Sequence, residues 1–397
     1  MGQNMATYVF NTLKTKYKGF HHPVVVIEVN DMVIGEGKAE IPVSDISVEL
    51  TSGFEASVAE FSFYDVYDRT EGSFNYEKVK SYIFLGSKVE IYLGYENQVS
   101  SVFIGVITRV SFLYEQLEIP CIRVTAMDVK GIMMSGSYSK QLKATCFSEA
   151  VKEVLNKTAY EKLSANGVVK SINVTDTPDK LRSAGAAGKQ EDRTIEMAAE
   201  SDYEFVVKAA RKYNYEFFTE CGNVYFRKAK SDKTILMEIG PGTGLHSFDV
   251  SYDITGLTET VIARGVDVAK AQVITAKNKF SNKISMGNKA KPLLRGGQKV
   301  YLDATITSKE EAQERADSLL EEMAYRFGRL EGELIGIPEL LPGHFITLAG
   351  LGTAADNDFY LKKVRHLLRG DGSFVTKLEG ICASMKSESI SGISGLI

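Results

Sequence analysis

The chain has 397 residues, too many for one ordinary core, so two or three domains are expected. Hydrophobic residues at 44% and charged residues at 25% give the balance of a soluble globular protein, and no apolar run approaches the roughly 20 residues of a membrane span. A net charge of −4 argues against a nucleic-acid-binding domain and against an acidic tail. Met1–Phe10 lacks a charged region followed by an apolar one, so synthesis in the cytoplasm without a signal peptide is expected.

From Val24 to Asp128 the pattern is almost entirely that of strands. Val89, Ile91, Leu93 and Tyr95 alternate with Lys88, Glu90 and Tyr92, and Ala59, Phe61 and Phe63 repeat the period, as do Ile122, Val124 and Ala126. Strands this dense, joined by short polar turns, predict a closed or nearly closed β-barrel over 1–140. Asp128 could act as an acid, but no partner carboxylate or histidine lies at a readable spacing, and a turn cap at the barrel exit is the expected role.

Within an α+β unit expected over 141–235, the period changes to about 3.6 between Thr145 and roughly Lys230. Thr145 is placed to cap a helix marked by Phe147, Val151, Val154 and Leu155, and Ser201 with Glu204 forms a capping box for a helix that buries Phe205, Val206, Ala209, Ala210 and Tyr213. Strands at Glu216–Thr219 and Asn223–Arg227, turning near Cys221-Gly222, complete a small α+β unit. Asp176–Arg193 has no period and reads as a surface loop; its Gly/Ala-rich run lacks the glycine spacing of a phosphate loop.

A second β-barrel domain is expected over 236–385. Gly240–Gly244 reads as a plain loop, since no helix follows to supply a dipole for an anion. Lys277–Lys299 carries seven basic residues and no acidic one, but Phe280 is its lone aromatic, so a solvated loop touching an acidic partner is favoured over nucleic-acid binding. Ser308 and Glu311 have capping-box spacing, Ala312, Ala316, Leu319, Leu320, Met323 and Phe327 recur helically, and Gly328 stands where a C-cap belongs. A long helix over 308–327 thus delivers the chain into glycine-punctuated strands, with a last alternating strand at Ser373–Cys382. Residues 386–397 read as a flexible tail.

Chemistry-bearing patterns are sparse. The five histidines show no metal-ligand spacing beyond the adjacent His21 and His22, and Cys121, Cys146, Cys221 and Cys382 are too scattered for a zinc site or a disulfide framework. Nucleophile-elbow, zincin and P-loop motifs are missing, so neither catalytic residues nor a cofactor or metal is expected.

The run Gly336, Pro338, Leu340, Pro342, Gly343, then Gly350 and Gly352, then Tyr360, Val364 and His366, preceded by the long helix, resembles the late control gene D family of tailed phages. Phe103–Gly105, Val124–Asp128 and the Ser201–Tyr215 segment resemble its earlier motifs. The resemblance implies structural roles for Gly105, Asp128, Gly336, Pro338, Pro342, Gly343, Gly350, Gly352, Tyr360 and His366. It also implies a mainly β, α+β fold in which two tube-protein-like barrels flank the α+β unit.

The function implied is a homotrimeric, non-enzymatic baseplate hub joining a tail tube or tube-initiator protein to a central spike, alongside other baseplate proteins. The particle would be a phage tail, a tailocin or an injection system related to type VI secretion. No nucleic-acid binding or membrane insertion of its own is expected. Ser387, Ile390, Ile393 and Ile397 are the candidate spike-docking residues. The alternatives are a tail-associated peptidoglycan hydrolase and a free-standing adhesive β protein.

Overall fold

The alternation at Lys88–Tyr95 becomes a strand whose Val89, Ile91, Leu93 and Tyr95 are buried, paired antiparallel with Pro23–Val29 on one side and Gln98–Leu113 on the other. A computed structural model describes residues 6–34, 42–180, 195–267, 270–279, 290–352 and 355–385. The fold is α+β and mainly β.

Its largest element is a 13-stranded sheet. The path begins at Leu245–Tyr252 and runs through Gly328–Ile335, Phe374–Cys382 and Asn357–Leu368, all from the second expected barrel. It then crosses to Val43–Thr51, Val58–Phe63, Cys121–Met127, Gln98–Leu113, Lys88–Tyr95, Pro23–Val29 and Met32–Val33, all from the first. The joint is the antiparallel pairing of Asn357–Leu368 with Val43–Thr51, from Lys363 opposite Thr51 to Leu368 opposite Ile46. One apolar cluster follows the sheet across it, with Val48, Phe61 and Ile91 from one half and Leu334, Phe359 and Leu361 from the other. Pairing the halves removes an exposed edge from each.

The segment between the halves has its own core of Val151, Phe205, Ala209, Phe217 and Phe226. Helices Phe147–Leu155, Thr158–Ala165 and Asp202–Tyr213 pack beside a three-stranded sheet in which Asn223–Lys228 lies between Ser171–Val174 and Tyr215–Glu220. The Ser201–Glu204 capping box forms in full, and Asn214 closes that helix in the left-handed conformation. Thr145 does not cap the first helix. Cys146 is the N-cap residue, and the free amides are met from outside: Phe147 N donates to Asp179 Oδ2 at 2.9 Å and Ser148 N to Thr177 Oγ1 at 2.9 Å, while Thr145 bonds Glu149.

A third sheet sets Thr260–Asp267 between Gln272–Lys279 and Gln298–Leu302. Helix Lys309–Ala324 covers it, packing Ala312 and Ala316 on Ala263 and Ala276, and Leu319, Leu320 and Met323 near Val261. Ser308 caps this helix, but Glu311 turns its carboxylate to Thr307 N and Oγ1 (2.8 and 2.9 Å), so only half of the expected box exists. Gly328 is not the C-cap, a place taken by Tyr325; it opens the next strand, where a Cβ would overlap Cys382 Sγ. Within the basic stretch, Lys277 and Lys279 lie in one strand and Lys299 in another, rather than in a solvated loop. Lys283 and Lys289 fall outside the described residues.

Candidate functional site: a buried loop and the surfaces around it

Between the strands Gly328–Ile335 and Phe345–Leu348 the chain runs through Gly336–His344 without strand pairing, yet Gly336 to Leu340 are buried. A buried loop must satisfy its polar backbone inside the protein. Gly336 N donates to Phe374 O at 2.9 Å, Ile337 N to Thr376 Oγ1 at 3.0 Å and Gly343 N to Leu361 O at 2.9 Å. Tyr95 OH donates to Gly336 O at 2.8 Å, bringing in the other half of the sheet, and Arg227 donates to Gly343 O at 2.6 Å, bringing in the α+β unit.

The motif residues now have physical reasons. A Cβ on Gly336 would overlap the Phe374 ring, and Gly343 holds φ +91° with Phe218 Cζ 2.8 Å from where a Cβ would stand. Pro338 and Pro342 lie in this loop, where no backbone N–H is needed from them. Gly350 and Gly352 take positive φ in the following turn, and a Cβ on Gly105 would overlap the Met127 carbonyl.

Tyr360 lies beneath the loop and donates its hydroxyl to Glu216; burial, with Glu216 adding, holds its pKa well above the ordinary value. The same carboxylate accepts from Arg227 Nε at 2.6 Å. Glu339, also buried, accepts from Lys16 Nζ at 2.7 Å and Tyr17 OH at 2.5 Å. His344 Nε2 lies 3.2 Å from Glu220 Oε2 and its Nδ1 lies 3.2 Å from Asp232 Oδ2. His366 is fully buried, with Nδ1 3.0 Å from Thr376 Oγ1, and burial pushes its pKa down to about 4 against a smaller opposing effect of the Leu340 backbone.

Asp128 caps the short helix Val129–Met133 through Lys130 N, and it also accepts from Ser57 N at 3.0 Å and Thr219 Oγ1 at 2.6 Å. It therefore ties the sheet to the α+β unit. Gly336 to Gly343, Tyr360 and His366 converge on one region, whereas Gly105 and Asp128 lie in the other half of the sheet. Ser387, Ile390, Ile393 and Ile397 lie outside the described residues.

In the sequence Glu216 and Arg227 appear only as strand ends, and Glu339 and Lys130 carry no visible role. The first two were within reach. The Cys221-Gly222 turn fixes a hairpin register that sets Glu216 opposite Arg227. Lys130, whose ammonium donates to the carbonyls of Gly53 and Glu55, had no such signal.

Asp128 and His366 are buried, at 1% and 0% exposure. Among the residues that face outward are several large apolar ones. Beyond the 16-residue strand Gln98–Leu113, Tyr114, Leu117 and Ile119 are 60%, 98% and 67% exposed, and Val273 and Leu302 on the third sheet are 64% and 80% exposed. Such clustering is a mark of interaction surfaces. No helix among the described residues is long and apolar enough to cross a membrane.

The fold is that of phage tail and type VI spike-related proteins. A 43 kDa prophage tail protein from Shewanella oneidensis is similar at TM-score 0.62 and 12% identity, covering 90% of this chain and 98% of its own. A tail protein from Neisseria meningitidis matches at TM-score 0.62 and 12% identity, covering 92% and 100%. A type VI secretion system component from E. coli, described as similar to T4 bacteriophage tail proteins gp27 and gp5, matches at TM-score 0.52 and 11% identity, covering 91% and 77%. No curated protein matches the chain. One family model, that of the Alg8 N-terminal domain, matches residues 26–370, a description that names a domain and no reaction, and the chain belongs to that family.

Proposed function

We propose that the chain is a structural baseplate hub of the late control gene D type, acting in a contractile tail or injection particle without catalytic activity of its own. The observation that carries this reading is the end-to-end likeness to a prophage tail protein, 90% of one chain on 98% of the other. At 12% identity that likeness speaks for the fold, and the tail role is the inference drawn from it.

In this reading residues 1–140 and 236–385 are the two tube-like halves and 141–235 the insertion. Three copies, each with two similar halves, present six quasi-equivalent faces to a sixfold tube and a threefold axis to the spike. The exposed apolar surfaces near Leu117 and Leu302 supply material for such permanent contacts.

Native mass spectrometry of the purified chain tests it. Three times 43.7 kDa, about 131 kDa, is expected. A monomer that also fails to trimerise or bind when mixed with the tube and spike proteins of its own particle would overturn the proposal.

A further inference from the structure

Where the α+β unit, the helix Lys309–Ala324 and the strands Asn357–Leu368 and Phe374–Cys382 meet, a cleft of about 570 Å³ opens, a size suited to a small ligand. Lys230 lines it. Its residue is 8% exposed, its backbone N donates to Glu216 Oε2 at 3.3 Å, and its ammonium lies over the rings of Tyr325 (4.6 Å) and Tyr360 (5.9 Å). Among the described residues that ammonium has no hydrogen-bond or ion-pair partner. A buried cation without a paired anion is costly. Lys230 also sits at φ +57°, an unusual place for a long side chain.

Most of the charges around the cleft already have ion-pair partners. Glu216 is paired with Arg227, Glu322 with Arg326, Arg315 with Asp303 and Arg329 with Glu331. Among the described residues Arg211, set over the Phe54 ring at 5.1 Å, and Lys362 join Lys230 as cations with no ion-pair partner. Among the described residues Glu55 and Glu379 are the lining carboxylates likewise without an ion-pair partner. Glu321, behind the lining, is the carboxylate that acts most strongly on Lys230; its hydrogen bond from the neutral Asn214 Nδ2 at 3.1 Å leaves its charge in place, though it makes no ion pair with the ammonium.

We propose that this cleft binds a single carboxylate group, held by the Lys230 ammonium between Tyr325 and Tyr360, and supplied either by a free organic acid or by an acidic side chain of a peptide. A carboxylate gives the ammonium the direct ionic partner that its own chain does not place against it. Burial pushes the Lys230 pKa below that of an ordinary lysine, against the pull of Glu321, Glu216 and Glu322, so an incoming anion restores what burial takes away. The inference does not depend on the tail role.

Thermal unfolding of the full chain is to be followed in sodium acetate, in acetyl-Ala-Glu-Ala-amide and in sodium chloride of equal ionic strength. Acetate or peptide at about ten times its dissociation constant is expected to raise the midpoint by on the order of 2 °C over chloride. Tighter binding of the peptide by about tenfold identifies a polypeptide source, and equal binding a free acid. Lys230→Met removes the shift and Lys230→Arg keeps part of it. Should Lys230→Met not fold, Ser318→Tyr, which fills the cleft from the helix side, serves in its place. No shift over chloride in the unaltered chain, or an undiminished shift in Lys230→Met or Ser318→Tyr, overturns the proposal.

Discussion

Where Asn357–Leu368 meets Val43–Thr51, the two halves of the large sheet are joined by backbone pairing over an apolar core that includes Val48, Leu50, Leu361 and Val364. Where the α+β unit meets that sheet, the joint is polar: Thr219 to Asp128, Arg227 to Gly343 O, Tyr360 to Glu216, and Tyr203 to Phe54 O at 2.8 Å. The first kind of seam is non-directional, so its strength is shared among many groups. The second depends on each member having its partner, and loss of one strands another in a low-dielectric interior. The sheet halves should therefore fail together, and the α+β unit should be able to loosen alone.

Arg227→Met is the most direct way to break the polar seam. It leaves the buried Glu216 carboxylate without its cation and Gly343 O without a donor. A loss of about 3 kcal/mol is expected, below the top of the range for broken buried pairs because Arg227 is partly exposed. Hydrogen exchange should quicken in Tyr215–Glu220 while Asn357–Leu368 stays protected. Equal quickening in both would show that the polar seam is not a separate unit of stability.

Leu361→Ala tests the other seam. Leu361 is fully buried, and its truncation should cost about 3 kcal/mol through lost transfer energy and the cavity left behind. Here urea unfolding should shift as one transition seen equally by probes in 42–127 and in 328–382. Divergence of the two probes would mean that the halves unfold independently and that the shared core does not couple them.

The parts of this comparison differ in how legible they were. Alternation at Lys88–Tyr95 and the Ser201–Glu204 box are local signals, and both became the elements expected. Period two says which face of a strand is buried but never which strand lies beside it, so the pairing of Asn357–Leu368 with Val43–Thr51, from opposite ends of the chain, could not be read. Thr145 lost its capping role because Thr177 and Asp179 reach the same amides from another segment. The motif around Gly336–His366 was visible as a pattern, but its reason, a buried loop that three parts of the chain must satisfy, depends on long-range contacts to Tyr95 and Arg227.

His366 lies on the apolar side and gives the comparison a pH axis. Its pKa falls from an ordinary 6.5 to about 4 in the folded chain, so the unfolded chain binds the extra proton first as pH drops. Stability contributed by the neutral ring is fully present above pH 6.5 and is lost as pH falls toward 4, by up to about 3 kcal/mol. His366→Gln should flatten that slope between pH 6.5 and 4 in urea titrations. An unchanged slope would assign the acid sensitivity to other groups, such as the paired carboxylates of the polar seam.

The smallest expected effect belongs to Ser201→Ala, which acts inside the α+β unit and touches neither seam. Ser201 Oγ accepts from Glu204 N at 3.2 Å and donates to Glu204 Oε2 at 2.9 Å, while the Glu204 carboxylate accepts from Ser201 N at 2.7 Å, so the substitution removes both hydroxyl bonds and leaves the backbone one. About 1 kcal/mol is expected. The loss should appear as faster exchange at the start of Asp202–Tyr213, with no change in Tyr215–Glu220 or in the large sheet. If it instead loosened Tyr215–Glu220 as Arg227→Met does, the helix and the hairpin would be one cooperative unit, and the boundary drawn at the polar seam would have to move outward to include the whole insertion.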